Sequence, residues 1–285
     1  MAAVCRQLGY SKQAYYKSSY HKGVKAIHWA AIREEVLLWR KRMPRLGTRK
    51  LYFLLKERFR SMSIGIGRDR LFDFLRSEGL LIKRKKKYAK TTDSRHWLRR
   101  YPNQIKDVEV RRPEQIWVAD ITYIQLRTGP CFLHLITDAY SKRVMGYHVS
   151  DTLAASHTLQ ALNQALKSRC YKEELIHHSD RGLQYCSAGY TKKLKDQRVQ
   201  ISMTESGSPY DNAIAERING ILKSEFALDD TFEAREHVDK QIKQSIDTYN
   251  TLRPHDSNHG LTPNQMHQQN VLIPKAWPKK YRRAL

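Results

Sequence analysis

The amino-acid sequence predicts an α/β protein, a mixed-sheet core preceded by a small all-α module. Three observations carry that expectation. After Pro113, three runs rich in Val, Ile, Tyr, Phe and Thr follow one another, and helix-like and strand-like stretches then alternate as far as Met203. Before Lys83, apolar residues recur at helical spacing. Between these regions, Lys83 to Arg100 carries nine Lys or Arg against the single acid Asp93. So much like charge does not pack against itself without a polyanion.

Residues 1–20 read as a short helical segment, with a Gly9-Tyr10-Ser11 turn and Ser11 placed to cap a following helix. From 24 to 44, Ile32, Val36, Trp39 and Met43 share a helical face, and Pro44 marks the stop. A second helix starts at Thr48 with Leu51, Leu54 and Leu55 inward. A third runs from Gly67 to Glu78 with Leu71, Phe74 and Leu75 inward and Gly79 just past its end. Arg49, Lys50, Arg68 and Arg70 fall on the outer faces of these two helices. Residues 21–82 therefore read as a helix-turn-helix-like DNA-binding module, or as a plain three-helix bundle with a solvated charged face.

Residues 83–112 read as a basic linker, with Lys85, Lys86 and Lys87 set to lie along phosphates. Trp97 and Tyr101 within it stack on bases or dock onto the core. The strands that follow are expected at Ile116 to Leu126, Cys131 to Asp138 and Arg143 to Val149, broken at Gly129-Pro130 and Ser141-Lys142 as antiparallel hairpins require. Then come a helix over Ser156 to Arg169, a strand over Leu175 to His178, a helix over Ala188 to Gln197 and a strand over Val199 to Met203. That order matches the ribonuclease-H-like fold. A long helix beginning near Phe232 closes the core at about residue 270, its end residues Tyr249, Asn250, Arg253 and Pro254 packing it down, and 271–285 form a basic tail.

The formal charge is +24, from 52 Lys and Arg against 28 Asp and Glu, which points to a polyanionic partner, nucleic acid first. No apolar run approaches the length of a membrane span and no secretory leader is visible, so a membrane role is not expected. Four cysteines without a C-x-x-C pair fit a reducing cytoplasm. His177, His178 and Cys186 lack the second closely spaced pair of a zinc signature.

Two-metal phosphodiester chemistry needs carboxylates that converge from separate elements, because hard Mg²⁺ takes oxygen ligands. Asp120 sits mid-strand in WVADITYI, where a charge is costly unless something pairs with it. Asp180, in HHSDRGLQY, directly follows a strand at the carboxyl edge where α/β folds place ligands. Glu216 is expected on a helix with Ser208 as N-cap, Pro209 at its first position and Asp211 completing a capping box. On that helix Glu216, Gly220 and Lys223 share one face, which stands Lys223 beside the metal site where it can hold a DNA phosphate. His178 and Arg181 flank Asp180 and either reach the scissile strand or simply satisfy buried carbonyls or face water, and Tyr210 and Asn212, in the loop ahead of Glu216, either contact flanking DNA or are structural in the same way. Asp138 reads as a turn residue rather than a fourth ligand.

With 59 residues between Asp120 and Asp180 and 35 between Asp180 and Glu216, the spacing resembles the DD(35)E signature of retroviral-type integrases and related transposases. The strings WVADITYI, HHSDRGLQY, SPYDNAIAERINGILKSE and YNTLRPHDSNHGLTP, with LGTRKL and SEGLLIKRKKK upstream, look like the second reading frame of bacterial transposases of the insertion sequence three family. The resemblance implies that Asp120, Asp180 and Glu216 hold two Mg²⁺ ions, with Mn²⁺ substituting, and that Lys223 is the accompanying basic residue. It implies hydrolysis at an element end, then strand transfer of the 3′-hydroxyl to target DNA. The expected partners are double-stranded DNA, as terminal inverted repeats and target, further copies of the chain on that DNA, and an upstream-frame helix-turn-helix protein, in the bacterial cytoplasm at the nucleoid. A DNA-binding regulator and a nuclease on the same fold are the competing readings.

Overall fold

The computed structural model describes residues 2–7, 9, 11–82, 98–106, 108–205 and 212–269, and the chain divides into two units, 1–83 and 84–285.

The first unit is all helical: α1 Ala2–Gln7, α2 Lys12–Arg42, α3 Thr48–Ser61 and α4 Arg68–Ser77. Ser11 caps α2, its side chain accepting from the Ala14 amide at 3.0 Å. From there α2 continues for 31 residues. The boundary expected at 20/21, and the separate helix expected from 24, are therefore corrected to one continuous helix. No proline interrupts 12–42 and Gly23 alone is too weak a breaker. Only its second half buries a face: Ile32 and Val36 are fully buried, with Leu51, Leu55 and Phe59 of α3 and Leu71 and Leu75 of α4. Trp29 stacks on Phe74 at 4.4 Å, and Arg58 pairs with Glu35 at 2.9 Å. Residues 62–67 join α3 to α4, and Gly79 closes α4 in the left-handed conformation, φ 67°.

The second unit is built on a five-stranded sheet: β1 Ile116–Leu126, β2 Gly129–Asp138, β3 Val144–Ser150, β4 Ile176–Ser179 and β5 Gln200–Met203, in spatial order β3-β2-β1-β4-β5. The first three strands form an antiparallel meander, while β4 and β5 run parallel to β1. This is the ribonuclease-H-like arrangement. Helices α5 Ala155–Lys167, α6 Leu183–Cys186 and α7 Ala188–Asp196 cover one face, where Trp117, Ala119, Ile136, Ala161, Leu162 and Tyr190 are buried. Helix α5 lies so close to β3 that a Cβ at Gly146 would sit 2.3 Å from the Ala161 carbonyl oxygen. On the other face Val118, Ala139 and Tyr140 pack with Ala215 of α8, Ala213–Glu225, and with Met266 of α10, Pro263–His267.

Helix α9, Arg235–Thr251, is docked at its end as expected. Tyr249 donates to the Lys142 carbonyl at 2.8 Å, and the Asn250 amide exchanges two 3.0 Å bonds with Val144. Just beyond it, Arg253 is 1% exposed and forms a two-point ion pair with Glu225 at the end of α8, at 2.7 and 2.8 Å.

The basic linker expected over 83–112 is corrected in its second half. Leu98 and Tyr101 pack against the helical face of the core, and Ile105, Val108 and Val110 against the opposite cluster. The Gln104 amide donates to Ser202 Oγ at 2.9 Å. Residues 83–97, with Lys85, Lys86, Lys87 and Trp97, lie outside the described residues, as does the tail 271–285. No helix among the described residues is long and apolar enough to cross a membrane.

Candidate active site

Asp120 is the fifth residue of β1, the middle strand of the sheet, and faces α8. Two groups fix it: Asn219 Nδ2 donates to its Oδ2 at 2.7 Å, and the Ile121 amide donates to its Oδ1 at 2.9 Å. Burial pushes its carboxyl up to about 7, and the neighbouring charges of Asp180, then Glu216, push the same way. The bonds from Asn219 and Ile121 oppose the shift. Burial is the main cause, and the two neighbouring acids add to it.

Asp180 follows the last residue of β4, and its Oδ1 accepts the Gly182 amide at 2.9 Å. A Cβ at Gly182 would stand 2.9 Å from Gln184 Oε1 and 3.0 Å from that same Asp180 oxygen, so a larger residue there presses on the Asp180 carboxylate. Glu216 lies in the first turn of α8 and is exposed. Three elements thus bring Asp120, Asp180 and Glu216 into one electrostatic field. Lys223 joins them from two turns further along α8: burial lowers its ammonium, and the charges of Asp120 and Asp229 raise it. The chemistry of the donor set fits divalent Mg²⁺, with three carboxylates and, beside Asp120, the buried Oδ1 of Asn219, which has no hydrogen-bond partner. The triad's oxygens are not drawn together as tightly as another trio, Glu114, Cys170 and His267, whose ligand atoms all lie within 4.8 Å of one another.

Several expectations change. Helix α8 begins at Ala213 with Asn212 at the cap position, so the start expected from Ser208 is corrected, and Ser208, Pro209, Tyr210 and Asp211 lie outside the described residues. Asn212 is corrected from a DNA contact to a tether: it is 7% exposed and its Nδ2 donates to the Ala119 carbonyl at 2.9 Å. His178 is buried with Nδ1 against Ser202 Oγ at 2.8 Å, while His177 is held by the Tyr190 hydroxyl at 2.9 Å. Asp138 is the turn residue expected, accepting the Glu114 amide and both the amide and hydroxyl of Ser141, each at 2.7 Å. Arg181 is half-buried beside Asp180, and Arg49, Arg68 and Arg70 are exposed, with Lys50 half-buried. Asn219 was not singled out from the sequence. Its position three residues after Glu216, on the same helical face, is the signal that identifies it.

This sheet, with acids on its central strand, at the end of the neighbouring strand and on the covering helix, defines a polynucleotidyl transferase of the DDE type. Residues 110–209 match one Integrase core domain family and residues 197–263 a second of the same description. A 31 kDa protein of insertion element IS600 from Shigella sonnei is 35% identical over 219 residues, 76% of this chain and 79% of its own length. The transposase InsF of insertion sequence IS3fB from Escherichia coli K12 is 34% identical over 199 residues, 69% of each chain. The HTLV-2 integrase catalytic core domain aligns with 55% of this chain and 97% of its own at 20% identity and a TM-score of 0.44. The chain belongs to the insertion sequence three family of transposases.

Proposed function

We propose that this transposase hydrolyses the ends of its own insertion element and joins the freed 3′-hydroxyls to target DNA, using two Mg²⁺ ions held by Asp120, Asp180 and Glu216, for which Mn²⁺ substitutes. The observation that carries the reading is the approach of three acids from separate elements: Asp120 of β1, held by Asn219 of α8 at 2.7 Å, lies in the field of Asp180 at the end of β4 and of Glu216 in the first turn of α8. Bound there, a pair of divalent ions supplies a lowered pKa for the attacking oxygen and charge stabilisation for the leaving one. The protein's own groups hold the geometry: Asn219 fixes the rotamer of Asp120, Gly182 lets Asp180 fold back over its own turn, and Asn212 ties the head of α8 to β1.

Lys223 and Arg181 are assigned to phosphates next to the scissile bond, with Tyr210 beside the flanking DNA. Arg49, Lys50, Arg68 and Arg70 of the helical unit are assigned to the terminal inverted repeats, and Lys85, Lys86 and Lys87 to the backbone between. The active form is a homo-oligomer on DNA in the bacterial cytoplasm, at the nucleoid, with an upstream-frame helix-turn-helix protein as a further partner.

The test is nicking and joining of a labelled element-end duplex in Mg²⁺. Asp120→Asn, Asp180→Asn and Glu216→Gln each lower both steps by at least about a thousandfold while duplex binding persists. Full activity in these variants overturns the assignment.

A further inference from the structure

Away from the carboxylate triad, at the start of β1, three ligand-type side chains from distant parts of the chain meet. Glu114 precedes β1 and is fully buried, Cys170 lies exposed in the loop between α5 and β4, and His267 ends α10, also buried. Their ligand atoms all lie within 4.8 Å of one another.

We propose that Glu114, Cys170 and His267 form a binding site for one borderline-soft divalent metal ion, Zn²⁺ in the first instance, that clips α10 and the α5–β4 loop to the start of the sheet. The donor set is one thiol, one imidazole and one carboxylate, which selects Zn²⁺ over Mg²⁺. His267 Nε2 stands 3.2 Å from Glu114 Oε1, close to the roughly 3.3 Å that tetrahedral bonds of 2.0–2.1 Å impose on two ligand atoms. The sulfur, on an exposed side chain, closes by rotation.

The surroundings are those of a metal site. The other ring nitrogen of His267 bonds to Ser141 Oγ at 3.0 Å with Asp138 Oδ2 behind it at 3.8 Å, the arrangement in which an outer carboxylate orients a ligating imidazole. Glu114 is held on several sides: its carboxylate accepts the amides of Cys170 and Tyr171 at 2.9 and 3.1 Å, Arg169 Nε stands 3.6 Å from its Oε2, and its own amide donates to Asp138. Its backbone is left-handed at φ 53°, strain of the kind that persists where the surroundings over-determine a residue. The exposed thiol provides the entry path and leaves a fourth position to water.

The experiment uses the full chain, stripped with chelator and kept in excess Mg²⁺ so that the catalytic acids are occupied. Co²⁺ serves as the probe and Zn²⁺ as competitor. One equivalent of Co²⁺ is expected to give thiolate-to-cobalt charge-transfer absorption that Zn²⁺ bleaches. The absorption persists in Asp120→Asn and disappears in Cys170→Ser, a surface change that leaves the fold intact. Zn²⁺ raises the Tm of the native chain and of Asp120→Asn, but not of Cys170→Ser. No absorption, or absorption and a Zn²⁺-dependent Tm rise that survive in Cys170→Ser, overturns the site and leaves Glu114 and His267 as a buried ion pair.

Discussion

Asn219 grips Asp120 at 2.7 Å from the same face of α8 that carries Glu216 one turn earlier, so α8 itself sets the rotamer of the central-strand acid. Because this bond lowers the Asp120 carboxyl, Asn219→Ala raises it further. The expected result is a ten- to hundredfold loss of nicking at neutral pH, on the order of 1.4–2.7 kcal/mol in the barrier. The acid limb of the pH-rate profile moves to higher pH. A profile that falls uniformly with no displacement shows that Asn219 is structural only.

The same carboxyl makes stability pH-dependent. Its folded value of about 7 lies above the unfolded 3.8, so the folded chain holds a proton that the unfolded chain releases between those values. The contribution to stability is therefore complete below pH 4 and lost as pH rises through 7. Metal-free Asp120→Asn escapes that loss. At pH 8 it is expected to be more stable than the native chain by on the order of 1–2 kcal/mol, and at pH 4 indistinguishable from it. Thermal melts in chelator at the two pH values check this, and equal melting at pH 8 refutes it.

Arg253 and Glu225 are both inside the protein and pair at two points. Arg253→Met leaves the carboxylate buried without its partner, at an expected cost of about 3–5 kcal/mol in urea unfolding. Arg253→Met with Glu225→Leu removes both charges and is expected to recover most of the loss. A double variant no better than the single one places the cost in packing rather than charge.

Gly146→Ala drives a methyl group into the backbone of α5, where Ala161 O and Ala165 N would stand at 2.3 and 2.6 Å. Neither atom can swing aside, so the expected penalty is at least about 3 kcal/mol, near the upper end of overpacking costs. Gly189→Ala, where the added atom meets nothing within 4 Å, is the control in the same denaturation series.

The core was legible where local pattern and tertiary role coincide. Ile116–Leu126 is the strand its β-branched and aromatic content announces, and Asp120 stands out in it because an acid among buried neighbours needs a purpose. The start of α8 was misread because Ser208, Pro209 and Asp211 make a good local cap, whereas Asn212 answers to a carbonyl 93 residues away. Residues 98–112 were masked by their charge average, although Leu98, Tyr101, Ile105, Val108 and Val110 are spaced through them as anchors. The meeting of Glu114 with His267 spans 153 residues and leaves no periodic trace.

The Arg253–Glu225 pair has a genetic consequence. The far end of the helix bearing Glu216 is completed by a residue that lies well downstream of all three acids in the chain. A copy of the gene interrupted before codon 253 still spells Asp120, Asp180 and Glu216, yet its product lacks the guanidinium that pairs with Glu225.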